Sequence, residues 1–134
     1  MIMKPITLIF SILFLIGCEK EESTTIDPNV LIQGKWEIEA IGNGDDLEPY
    51  PAWGYTEYYQ DSLIRFFIYE TDTFIANYVT YEIDETFLIE KTYYPSIDEI
   101  WVEKYRYQFL DNNQKLRLDQ TYAIFNTSIY KRIN

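Results

Sequence analysis

Histidine is absent from the 134 residues, and cysteine occurs once. Without histidine there is no serine-protease-type triad, no papain-type dyad and no use of the commonest zinc ligand. A single thiol excludes an internal disulfide, a thiolate zinc cluster and an iron–sulfur site. Positive charge is scarce as well: 11 Lys and Arg stand against 22 Asp and Glu, a net charge of −11. That balance opposes nucleic acid and anionic membrane surfaces. There is no glycine-rich phosphate loop and no basic stripe, and Ser62, Ser96 and Ser128 have no histidine to activate them. Neither catalysis nor a cofactor or metal is expected.

Long hydrophobic runs are also missing. The one continuous apolar stretch, Ile6–Ile16, would rise about 16 Å as a helix, against about 30 Å of bilayer hydrocarbon. With Lys4 before it, this length suits the hydrophobic region of a secretory signal. The next residues, Leu15-Ile16-Gly17-Cys18, resemble a bacterial lipobox. The resemblance implies cleavage before Cys18, acylation of its thiol and of the new amine, and attachment to a membrane through palmitate-type chains. Glu19-Lys20-Glu21-Glu22 is similar to the surface-export signal of Bacteroidetes lipoproteins; a merely polar tether is the alternative. The expected organisation is a signal over residues 1–17, a flexible acidic tether over 18–29 and one domain over 30–134. Such a protein would sit in the cell envelope, on the outer membrane, or on the cell surface if the export signal acts.

From Leu31 onward the chain alternates like strands. Trp36, Ile38 and Ala40 share one face of a strand expected over Lys35–Ile41, and Lys35, Glu37 and Glu39 share the other. Gly42-Asn43-Gly44-Asp45-Asp46 reads as a turn. Leu47–Gln60 holds Pro49, Pro51 and Gly54 among aromatics and reads as a long loop with at most one short edge strand. Further runs follow at Leu63–Glu70, Phe74–Ile83, Thr86–Tyr94, Ile100–Leu110, Lys115–Thr121 and Thr127–Ile133, each bounded by turn residues. β-branched and aromatic residues dominate them, and no stretch keeps helical spacing for three turns. The expectation is an all-β antiparallel meander of about seven strands, or eight if the 50–60 region adds one.

The first strand opens Leu31-Ile32-Gln33-Gly34-Lys35-Trp36, and the last carries Tyr130-Lys131-Arg132. This Gly-x-Trp start and Tyr-x-Arg end resemble the lipocalin-like superfamily, particularly its short Bacteroidetes lipoproteins. The resemblance implies a small closed barrel whose floor is Trp36 lying beneath Arg132. A guanidinium on an indole face gains about 0.5–2 kcal/mol, which gives that pair a physical basis. The alternative is Trp36 as plain core and Arg132 as a solvated cation.

Carboxylates are the abundant reactive groups. Glu37 and Glu39 are about 6.5–7 Å apart along one strand face, but that face is opposite Trp36, so they read as solvated charges rather than as a glycosidase pair. Asp45-Asp46 lacks calcium-loop spacing and reads as a turn. Binding is the expected role, with Tyr50, Trp53, Tyr55, Tyr58 and Tyr59 as candidate aromatics on an outer surface or a barrel mouth. The alternative places the 47–60 loop over the outer face, burying rings. Three roles stay open: a surface module for a glycan or a partner protein, a carrier of a small apolar ligand inside the barrel, or a structural envelope protein.

Overall fold

The computed structural model describes residues 25–120 and 122–134. The expected signal and the lipidation site Cys18 lie outside the described residues.

Asp27 accepts the Asn29 N–H (2.9 Å) and so caps a single helical turn, α1 (Pro28–Leu31). Pro28 sits at the first position of that turn, where its missing N–H costs nothing. The last residues of the expected tether thus belong to α1. Ten strands follow: β1 (Gly34–Asn43), β2 (Asp46–Pro49), β3 (Gly54–Tyr58), β4 (Leu63–Ile68), β5 (Thr73–Phe74), β6 (Tyr78–Ile83), β7 (Phe87–Tyr94), β8 (Glu99–Leu110), β9 (Lys115–Gln120) and β10 (Thr127–Ile133). Eight of them, all but β2 and β5, pair antiparallel in sequence order, and β10 pairs with β1 to close a barrel. No described helix is long and apolar enough to cross a membrane.

Three expectations about strands need correction. The 47–60 region is not a long loop, because it contains β2 and a full barrel strand, β3. Both pair with the same side of β1: β3 with its first half (Gly34↔Tyr58 to Glu37↔Tyr55) and β2 with its second (Ala40↔Pro49 to Asn43↔Asp46). The proline-rich break between them is thus a step from one half of β1 to the other. The run Phe74–Ile83 is also not one strand. It splits into β5, which folds back on β4, and β6, with Ile75-Ala76-Asn77 between. The third correction concerns Ala40. Ile38 pairs with Tyr130 but Ala40 with Ile129, so Glu39 is a bulge and Ala40 leaves the face of Trp36 and Ile38. Ile41 takes the inward position instead, opposite Ser128.

The core fills the lower half of the barrel: Ile32, Trp36, Tyr58, Ile64, Val79, Tyr81, Leu88 and Leu116 are all buried. Between these residues and the open end is a cavity of about 100 Å³ lined by Trp36, Ile38, Trp53, Thr56, Phe66 and Tyr130. Small-molecule sites run about 300–1,000 Å³, so this cavity is smaller than one.

Glycine is required at one point of the closed end. Gly34 has φ +116°, and a Cβ there would lie 3.0 Å from the Arg132 guanidinium. Gly34→Ala is expected to cost about 1–3 kcal/mol through backbone strain and displacement of Arg132. A urea-unfolding midpoint unchanged from wild type would contradict this.

Candidate functional site

Trp36 and Arg132 lie together at the closed end of the barrel. Trp36 is fully buried, and its indole N–H donates to the Ile32 carbonyl (2.7 Å). Arg132 lies 4.3 Å from the centre of that ring. Its guanidinium donates to the carbonyls of Gln33 (2.7 Å), Leu31 (2.5 Å) and Asn113 (3.3 Å). One side chain thereby ties the α1–β1 connection to the β8–β9 turn. Burial pulls the Arg132 pKa below its usual value, although three carbonyl partners and the indole face support its charge. These groups face inward and hold structure; they offer no open surface for chemistry.

The acidic candidates are on the outer face. Glu37 binds Lys131 (2.9 Å) and accepts from Tyr69, whose hydroxyl, followed by Lys131, holds the carboxyl below its ordinary pKa. Glu39 pairs with Lys115 (3.0 Å) and Asp45 with Arg117 (2.8 Å). Exposed pairs of this kind contribute little stability. Among the described residues no three potential ligands gather for a metal ion.

The five candidate aromatics do not form one surface. Tyr55 is on the outer face, stacked on Phe67 (5.0 Å) beside Phe74 and Tyr69, with the Lys35 ammonium 5.3 Å from its ring. Tyr59 is partly buried at the closed end, its hydroxyl on Glu57 (2.6 Å). Tyr58 is in the core, against the expectation of an accessible ring, because β3 alternates and Tyr58 shares the inward face with Gly54 and Thr56. Only Tyr50 and Trp53, both exposed in the β2–β3 connection, lie at the open end.

Two features of the site were missed. The first is Glu90, which is buried inside the barrel and accepts from the Tyr58 hydroxyl (2.5 Å). Burial pushes its pKa up to about 7, and Glu103, opposite it on β8, adds to the rise, while the Tyr58 hydrogen bond works against it. The second is the rim of the open end. Here Trp53, Ile97, Ile100, Trp101 and Val102 are more than half exposed, as are Tyr122, Ile124 and Phe125 of the β9–β10 connection. The upper part of the β7–β8 hairpin carries the centre of this group, with Tyr94 packed on Trp101 (5.3 Å).

Compared with known proteins, the chain matches no family model and no curated relative. What can be said of its site therefore rests on its own geometry. Two further depressions exist among the described residues. One, of about 720 Å³, lies at the closed end between residues 25–31 and the β6–β7 turn; the other, about 450 Å³, lies beside the β1–β2 hairpin and is flanked by Phe125.

Proposed function

We propose that the protein is a lipid-anchored cell-envelope binding protein that takes its partner at the open end of a lipocalin-like barrel. The observation that carries this reading is where exposed apolar side chains collect. Eight of them, including Trp53, Trp101 and Phe125, belong to connections or strand ends on the rim. Isolated exposed apolar residues need no explanation, but a gathering of large rings and aliphatic chains at one end marks an interaction surface. The small interior cavity favours a partner held on the rim over an apolar ligand carried within.

The chain's direction supports a rim opposite the anchor. The described chain enters at the closed end through α1. Six residues separate Cys18 from Thr25, seven steps of chain with a reach of at most about 25 Å. Ten-residue β1 spans a similar height once about 40° of strand tilt is allowed for. An anchor at Cys18 therefore joins the domain at its closed end, opposite the rim.

Two measurements test the reading. Cys18→Ser should abolish palmitate labelling and move the protein out of the detergent phase; normal acylation of the variant would overturn the anchor. A photocrosslinking residue at Trp53 or Phe125 should give adducts in the intact envelope, and one at Glu82 on the outer wall should not. Adducts from Glu82 alone would move the binding surface off the rim.

A further inference from the structure

We infer that the upper part of β8, Glu99–Glu103, binds an extended, basic polypeptide segment of a partner as an added β-strand. The inference rests on the rim reading and names the chemistry of what the rim takes.

β8 has twelve residues, but its neighbour β9 has six and pairs only from Tyr105↔Gln120 down to Leu110↔Lys115. Above Tyr105, β8 keeps β7 on one side and no described strand on the other. All six residues from Glu99 to Lys104 are exposed, Ile100, Trp101 and Val102 by 63%, 57% and 60%. An apolar, unpaired edge is a template for another strand, and proteins normally blunt such edges.

The direction of the free bonding groups follows from the ladder. The Gln120 N–H donates to Asn126 O (2.6 Å) and the Arg132 N–H to Gln114 O (2.8 Å). Even-numbered residues of β9 therefore turn their N–H and C=O toward β10, and odd-numbered ones toward β8. The β8–β9 register then makes Arg106, Gln108 and Leu110 the β8 residues that bond β9. The same alternation continued up the strand aims the N–H and C=O of Val102 and Ile100 at the open side. Trp101 and Glu103 bond β7. Only another polypeptide backbone matches a row of donors and acceptors at this spacing.

Side chains define which polypeptide. Glu99, Trp101 and Glu103 share the face toward the barrel mouth, where Glu90 lies opposite Glu103. Lys104 is on the other face, its ammonium 3.7 Å from the centre of the Phe87 ring, beside Ile100 and Val102. A matching strand therefore carries Lys or Arg at alternate positions, two against the carboxylates and one over the Trp101 ring, with apolar residues between. A second copy fits less well. Two-fold antiparallel pairing about Trp101 sets Glu99 against Glu103 twice, and pairing about Val102 sets Lys104 against Ile100.

The probe is acetyl-Thr-Lys-Val-Lys-Val-Lys-Thr-amide, titrated against the full-length mature chain in detergent with hydrogen exchange read residue by residue. In the free protein the amides of Ile100 and Val102 should exchange faster than those of Trp101 and Glu103. Peptide should slow the first two at least about tenfold and leave the other two unchanged. Val102→Pro removes a donor that no described strand uses; it should melt near wild type and lose the peptide, as should a probe N-methylated at both Val residues. Replacing the probe's Lys residues with Glu should abolish binding. Binding that survives Val102→Pro or N-methylation would overturn strand addition while leaving the rim reading intact. No binding of the Lys probe would likewise overturn it, and rim crosslinks would then still stand. Protection of the Ile100 and Val102 amides without peptide, together with a dimer mass, would overturn it in favour of a second copy.

Discussion

Trp36→Ala is expected to remove about 3–5 kcal/mol of stability, the usual cost of deleting a large buried aromatic. Several effects act together at this residue. The indole is fully buried against Phe109 (6.1 Å between ring centres), so its loss opens a void next to the existing 100 Å³ cavity. Its N–H satisfies the Ile32 carbonyl, which is left without that donor at the end of α1. The Arg132 guanidinium loses the ring it lies over, though it keeps its three carbonyls. Against a total of about 5–15 kcal/mol for a domain, this substitution should approach global unfolding at physiological temperature. Urea unfolding followed by tyrosine fluorescence measures it. A loss below about 1 kcal/mol would mean that the closed end does not depend on the indole, whatever its burial.

The pairing of Trp36 with Arg132 followed from a resemblance carried by two motifs near the chain's ends, a glycine two residues before a tryptophan and an arginine two residues past a tyrosine. The all-β class and the antiparallel order followed from alternation and turn spacing, while closure into a barrel followed only from the resemblance carried by the two end motifs. What the alternation could not supply was its own interruption. Glu39 forms a bulge because β1 hands over from β3 to β2 at that point, and nothing in Glu37-Ile38-Glu39-Ala40 announces it. Leu47–Gln60 misled for a related reason. Its two prolines lie at the end of β2 and just beyond it, outside β3, so their local meaning was right and their extent was not.

The β8 edge could have been read from lengths. Two runs joined by the short turn Asp111–Gln114 must pair from the turn upward, so a long run beside a shorter one leaves its far end unpaired. The run Ile100–Leu110 is longer than Lys115–Thr121, and the overhang holds Ile100, Trp101 and Val102. Glu90 was less accessible to reading. In β7 both faces hold apolar residues, Phe87 and Ile89 on one and Leu88 on the other, so the pattern does not say which way Glu90 points. Its orientation depends on the pairing of β7 with β6 and β8, which is long-range information.

Glu90 should make the protein less stable as pH rises from about 4.5 to about 7, and Glu90→Gln should remove that dependence. The carboxyl is enclosed by Tyr58, with Tyr81 opposite on β6 and Glu103 opposite on β8. The strand-borne cations nearest in sequence, Lys91 and Lys104, are on the outer face with Glu82 and Phe87. Burial lifts the folded-state pKa to about 7 from an ordinary 4.5. In that interval the folded chain keeps a proton that the unfolded chain releases, so raising the pH favours unfolding. Above about pH 7 both states are ionised, and the whole cost of enclosing the charge is present, on the order of 3 kcal/mol. Glutamine retains an oxygen that can accept from Tyr58 but has no charge to desolvate. The variant should therefore exceed wild type by about 1–3 kcal/mol at pH 8 and approach or fall below it at pH 4.5, where Glu90 is protonated. Urea midpoints of both proteins across this range give the difference directly, since every other titrating group is common to the two. Parallel curves would show that the carboxyl is solvated in the folded state and that the barrel above Tyr58 admits water.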